Sequence, residues 1–172
     1  MFLKRVQTAT MSDLPKVVAV YECAIQHMNE NGIYQWDEKY PNEKILRDDI
    51  IAQNLHLYIV ENKIASVFVL NKECDPEYSV GNWTDNEASF AVVHRLCVHP
   101  HFQHKGIGTR TMLTAEALLM NRGLQSVRLD AFSENPAALR LYEKLGYQRT
   151  GSVRFRKGLF FLFEKSLLRN TI

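Results

Sequence analysis

Apolar residues along this chain recur with two different periods, and each change of period marks a new element. Residues 3–9, "LKRVQTA", alternate and read as a first strand. The stretch 12–28, "SDLPKVVAVYECAIQHM", switches to helical spacing, with Ser12 or Asp13 as N-cap and Pro15 in the first turn. A loop rich in aromatics and acids follows, "NGIYQWDEKYP", and then a short amphipathic helix, "NEKILRDDIIAQ". "LYIVE" and "IASVFVL" read as a hairpin turning at Asn62-Lys63. Residues 71–88 are polar and irregular, with Trp83 as an isolated large aromatic. "FAVVHRLCV", 90–98, is apolar enough for a central strand covered on both faces. The helix after it places Leu113, Ala117 and Met120 on one face and stops at Gly123. "SVRLDA" is another strand. "NPAALRLYEKLG" is a helix bounded by its own signals, with Asn135 as N-cap, Pro136 at N1 and Gly146 past the end. "VRFR" and "LFFLFEK" close the pattern as strands, with a turn around Lys157-Gly158. Strands alternating with helices, plus two hairpins, imply a mixed α/β sheet.

Composition narrows the classes. A chain of 172 residues suits one domain with a real core. Its 46% hydrophobic and 23% charged residues are ordinary for a globular protein, and a net charge of +2 gives no argument for nucleic acid as a partner. Cys23, Cys74 and Cys97 form no CxxC pair, so they read as reduced thiols rather than a disulfide framework or a metal site. "MFLKRVQTATM" lacks an apolar signal core, and "LFFLF" is too short to span a membrane. The expectation is a cytoplasmic protein without a membrane partner.

The stretch "VHPHFQHKGIGTR", 98–110, raises a sharper question. A helix start carries N–H groups without internal partners and the positive end of the helix dipole. Glycine lets a bulky anion approach that backbone closely. Gly106 and Gly108, with His104, Lys105 and Arg110 around them, therefore suit a phosphate or pyrophosphate, or else mark a tight strand-to-helix turn. No Gly-Lys-Ser/Thr occurs, which excludes a P-loop. Thr111 stands where a dinucleotide fingerprint needs its third glycine. Further along, Asn135 and Tyr142 lie two helical turns apart and share one side of their helix; alone, each reads equally as a cap and a core aromatic.

Taken in order, these segments resemble the GNAT superfamily of acetyl-CoA-dependent N-acyltransferases. "HRLCVHP" is similar to the family's splayed fourth strand, Gln103 to Gly108 to its Q/R-x-x-G-x-G/A loop, and "NPAALRLYEKLGY" to its second cofactor segment. The resemblance runs from about Phe2 to Lys165. It implies one N-acetyltransferase domain over residues 1–172. It also implies an α/β fold whose mixed, mostly antiparallel sheet is splayed between strands 4 and 5 and flanked by about four helices. The backbone of Leu96, Cys97 and Val98 would pair with the pantetheine arm of acetyl-CoA. The N–H groups of Gln103, His104, Lys105, Gly106, Ile107, Gly108 and Thr109 would cradle the pyrophosphate. Asn135 would contact the cofactor near its pantetheine end, and Tyr142 would sit by the sulfur. No metal is implied.

Acetyl transfer to an amine needs a neutral nucleophile, a stabilised oxyanion and a proton for the departing thiolate. The N–H of Val98 suits the oxyanion and the phenol of Tyr142 suits the thiolate. Cys97, inside an apolar strand, reads as an inert thiol. Many relatives carry a glutamate on the fourth strand as base. Here its polar residues are His94 and Arg95, which leaves His94, Asp130, Glu134 or a water relay as candidates. The acceptor walls expected in the family hold Tyr34, Trp36, Asp37, Glu38, Tyr40 and Trp83. Aromatic faces and carboxylates suit a cationic amine, although Trp36 and Tyr40 equally suit pinning the loop to the core. The partner expected is a small-molecule amine, with a protein or peptide N-terminus and a non-catalytic acyl-CoA sensor as alternatives; a homodimer is allowed.

Overall fold

A computed structural model of the chain describes residues 4–168. Phe2 and Leu3, at the start of the expected first strand, lie outside them. In chain order the elements are β1 (Lys4–Thr8), α1 (Leu14–Glu30), α2 (Glu43–Ile51), β2 (Leu55–Val60), β3 (Lys63–Asn71), β4 (Phe90–Val98), α3 (Ile107–Asn121), β5 (Ser126–Phe132), α4 (Pro136–Lys144), β6 (Gln148–Phe155) and β7 (Gly158–Ser166). Short 3-10 turns occur at Met11–Asp13, Pro76–Val80 and Pro100–Phe102. The strand order is β1-β2-β3-β4-β5-β7-β6. β1 with β2, β2 with β3, β5 with β7 and β6 with β7 are antiparallel, whereas β4 and β5 run parallel. The parallel register joins residues 90–92 to 126–128, the partial pairing expected where strands 4 and 5 splay.

The chain packs as two compact units. One takes the chain up to Leu70 together with His94–Met112; the other takes Asn71–Val93 and the chain from Leu113 onward. In the first, α1 presents Leu14, Val17, Val20, Tyr21 and Ala24 as a buried stripe at helical spacing. These pack with Leu46 and Ile50 of α2, Leu55, Leu57 and Ile59 of β2, and Val67 and Val69 of β3. Burying each such aliphatic side chain contributes about 1.5–3 kcal/mol. The start of α2 is set by Asn42, whose Oδ1 accepts from the Ile45 N–H at 3.0 Å. In the second unit the buried residues include Val127, Leu129 and Ala131 of β5, Tyr142, Tyr147, and Phe160, Leu162 and Phe163 of β7.

Four details differ from the pattern read off the sequence. The first hairpin turns at Glu61-Asn62, both in the left-handed region (φ 51° and 61°), so Lys63 already opens β3. The second turns one residue before the expected Lys157-Gly158, leaving Gly158 (φ 134°) as the first residue of β7. The expected apolar face of α3 is turned outward, with Leu113 49% and Met120 41% exposed. Its buried face is Ile107, Thr111, Met112, Ala115, Glu116 and Leu119. Thr111 can sit inside because its hydroxyl donates to the Ile107 carbonyl at 2.8 Å and meets Ser66 Oγ at 2.6 Å. Glu116 can because it accepts from the Tyr147 hydroxyl at 3.0 Å and from Lys165 at 2.8 Å.

The stretch expected to be irregular, 71–88, is the fourth, and it is firmly fastened within the second unit. Tyr78 is buried, and Trp83 stacks on it at 5.7 Å while its Nε1 donates to the Tyr78 carbonyl at 2.9 Å. The Asn82 N–H donates to the Thr150 carbonyl, and the Thr84 N–H to Glu164. Arg128 holds Glu164 at 3.3 Å and lays its guanidinium over the rings of Trp83 and Phe90.

Candidate active site

In the first unit the site is built on the second half of β4. Arg95 is in the left-handed region (φ 51°), a conformation rare for a non-glycine residue. Such a kink in a strand re-aims the hydrogen-bonding groups that follow it. Four partners hold it there. Asp49 of α2 accepts from Arg95 Nε at 2.9 Å and from Nη2 at 2.5 Å. Nη1 donates to the Tyr40 hydroxyl at 3.0 Å, and the Arg95 carbonyl accepts from the Tyr21 hydroxyl at 2.5 Å. Trp36 packs on Tyr21 at 5.5 Å and is itself buried, so it fastens its loop to the core. Tyr34, on the same loop, is 58% exposed. Burial, with Cys97 next, pushes the Tyr21 phenol well up. His94, Leu96 and Val98 are half-buried. Cys97 is buried, and burial above all pushes its thiol up, out of reach of nucleophilic work.

Beyond β4 the chain turns through Pro100–Phe102 into α3. The His99 N–H donates to the Ala65 carbonyl at 2.9 Å, which ties the turn to β3. Gln103 Nε2 donates back to the Val98 carbonyl at 3.2 Å and closes the loop on itself. His104 (φ 59°) and Gly106 (φ 73°) are both left-handed. Alternation of this kind points successive N–H groups into one concavity that suits an anion. A Cβ on Gly106 would find nothing within 4 Å, so the space beside the loop is open. The first helical rung is Arg110 N–H to the Gly106 carbonyl, which leaves the N–H groups of Ile107, Gly108 and Thr109 at the dipole's positive end. Lys105 is folded back, its Nζ donating to the His101 carbonyl at 2.8 Å. Burial and then His101 hold His99 below the usual imidazole range.

The second unit carries the other candidates. Asn135 caps α4, its Oδ1 accepting from the Ala138 N–H at 3.2 Å. Tyr142 is buried on the same helix and packs against Tyr147 and Phe163. Burial first, and Asp130 second, push its phenol up, so it stays protonated at any physiological pH. Asp130, half-buried on β5, accepts from the Tyr78 hydroxyl at 2.7 Å. Glu134 is exposed.

Residues 20–147 match the family model described as the acetyltransferase (GNAT) family. The chain belongs to that family. Among the known proteins this GNAT chain is similar to, an uncharacterised N-acetyltransferase of Methanocaldococcus jannaschii is 32% identical over 75 residues, 42% of this chain and 33% of that protein. A mycothiol acetyltransferase of Rhodococcus erythropolis is 30% identical over 92 residues, 49% of this chain and 31% of that protein. The match thus spans about a third of the length of these two relatives. A GNAT-family acetyltransferase structure from Streptococcus agalactiae shares the fold at a TM-score of 0.82 and 21% identity, covering 95% of each chain. The PaiA N-acetyltransferase of Thermoplasma acidophilum, solved with coenzyme A, does so at 0.72 and 18%, covering 95% of this chain and 99% of that one.

Two features of the GNAT chain were not legible beforehand. The Asp49–Arg95 pair joins positions 46 apart, and Asp49 reads in sequence as one acid among several on a short helix. Tyr78 reads as part of a polar loop; the signal that could have found it is the aromatic at Trp83 needing a partner. Among the described residues no group of three or more His, Cys, Asp or Glu could hold a metal ion, and no helix is long and apolar enough to cross a membrane.

Proposed function

We propose that this GNAT chain transfers the acetyl group of acetyl-CoA to the primary amine of a small molecule. One observation carries the reading: the loop of residues 103–109, closed by Gln103, with two left-handed residues ahead of a helix start and open space at Gly106. The N–H groups of that loop fit a pyrophosphate. Leu96, Cys97 and Val98, next to the kink at Arg95, offer backbone groups to the pantetheine arm, and Asn135 a side chain near it. We take the chain as one catalytic domain, since the family match runs through segments of both units.

The roles follow from the chemistry. The amine must lose its proton before it adds to the thioester carbonyl. His94 is the imidazole on β4 that could take it, and a chain of waters serves as well; a pH–rate profile that is unchanged in His94→Gln selects water. The N–H of Val98 meets the oxyanion that forms on addition. Tyr142, kept protonated by burial, donates its proton as the carbon–sulfur bond breaks. The exposed ring of Tyr34 offers an aromatic face to a cationic acceptor.

The test is calorimetric titration with CoA, together with thiol release from acetyl-CoA across a panel of amines. The wild type binds CoA and Gly108→Glu does not, because a carboxylate at the helix start fills the anion site and repels phosphate. A wild type that ignores millimolar CoA overturns the assignment.

A further inference from the structure

Asp130 is a charged residue where the strand has no structural call for one. β5 is buried at residues 126–129 and again at Ala131 and Phe132, and Asp130 between them is half-buried. A carboxylate in such a place costs free energy unless its charge is met. The second unit meets it with a phenol delivered by a dedicated arrangement. Tyr78, 3% exposed, donates its hydroxyl to Asp130 Oδ2 at 2.7 Å. Trp83 covers Tyr78, and it can do so because residue 81 is glycine: a Cβ there would lie 2.4 Å from the Trp83 ring. The Asn82 N–H, bonded to the Thr150 carbonyl, anchors the segment on β6.

A second phenol faces the same carboxylate. Tyr142, the proposed donor to the thiolate, lies within electrostatic reach of Asp130. Both phenols are held in their protonated form by burial first and by this carboxylate next. Neither therefore repels a cation. One negative charge, two neutral hydroxyls and the surrounding aromatic rings make the chemistry that recognises a primary ammonium.

We infer that Asp130, held in place by Tyr78, receives the ammonium group of the acceptor and presents its nitrogen beside Tyr142. This rests on the acetyltransferase reading and adds to it a substrate class, amines that arrive as cations. Tyr78 is then a positioning residue that acts through Asp130.

The test compares two acceptors of similar size, n-butylamine, a cation at neutral pH, and trifluoroethylamine, neutral there, in thiol release from acetyl-CoA. Asp130→Asn lowers kcat/KM for n-butylamine by about a hundredfold, mostly through KM, while trifluoroethylamine changes little. CoA affinity by calorimetry stays at the wild-type value. Asp130→Glu restores part of the loss, and Tyr78→Phe raises the n-butylamine KM by about tenfold with kcat nearly kept. Equal losses for both amines show a merely structural residue and overturn the inference, as does an Asp130→Asn enzyme with wild-type selectivity. A wild type that fails to bind CoA sinks the acetyltransferase reading itself; one that binds CoA and turns over, yet shows no Asp130 effect, sinks this inference alone.

Discussion

In the first unit the carboxylate of Asp49 meets the guanidinium of Arg95 in a bidentate ion pair, with Tyr40 on the same guanidinium and Tyr21 on the Arg95 carbonyl. In the second, the carboxylate of Asp130 meets the neutral phenol of Tyr78, with Trp83 stacked behind it. The residue types are much the same; the partner differs. A guanidinium locks a carboxylate and shapes the backbone that carries the arginine, here the kink of β4. A phenol orients a carboxylate without cancelling its charge. The first arrangement serves the shape of the strand, and the second keeps a charge for a ligand.

Removing the structural carboxylate has the largest effect expected. Asp49→Ala strands the Arg95 guanidinium, whose side chain is 11% exposed, and destabilises the protein by about 3–5 kcal/mol. Urea unfolding reads this directly, and a loss below about 1 kcal/mol would erase the contrast between the two carboxylates. Tyr142→Phe comes next and acts on rate instead. Turnover falls by roughly a hundredfold while CoA affinity and the unfolding midpoint hold, because the ring and its packing remain. Full turnover in that variant removes Tyr142 from the chemistry. Gly81→Ala is smaller: it pushes the Trp83 ring off its seat at a cost of about 1–3 kcal/mol and weakens n-butylamine transfer along with it. A variant that loses neither shows that Tyr78 needs no cover.

The smallest effect is at alkaline pH. Tyr21, Tyr78, Tyr142 and Tyr147 all titrate above the ordinary 10.0 of a phenol, in every case through burial first. A group with a raised folded-state pKa contributes stability that is intact below the unfolded value and lost as pH rises toward the folded one. Melting temperature therefore holds up to about pH 10 and falls above it. Absorbance at the phenolate band should show these four ionising together with unfolding, and early, gradual ionisation of all seven tyrosines would contradict their burial.

Local rules were legible where the hydrogen bond is local. Asn42 and Asn135 announce helices because each caps its own third neighbour. The loop of residues 103–109 was legible because two glycines before a helix are a local statement about backbone. The buried face of α3 was not, because Thr111 and Glu116 take core positions only once Ser66, Tyr147 and Lys165 arrive from elsewhere in the chain. The hairpin turn slipped by one because the left-handed conformation falls on Glu61 as well as Asn62, and glutamate does not advertise it. Asp130 could be noticed as a charge in an apolar strand, but its partner lies 52 residues away, so its use could not be read from spacing.

The interleaving of the two units sets a timetable for the ribosome. The first unit needs residues from His94–Met112, so all of its chain exists only when Met112 has emerged. The second waits longer: β7 is the partner of both β5 and β6, and Ser126 pairs with Ser166. At about 5–20 residues per second the interval between those two moments lasts several seconds. Throughout it, β5 has the flank that β7 will occupy open to other strands, a template for mispairing. A message truncated inside that window yields a product with every residue of the first unit and an unfinished second, the kind of chain that quality control has to recognise.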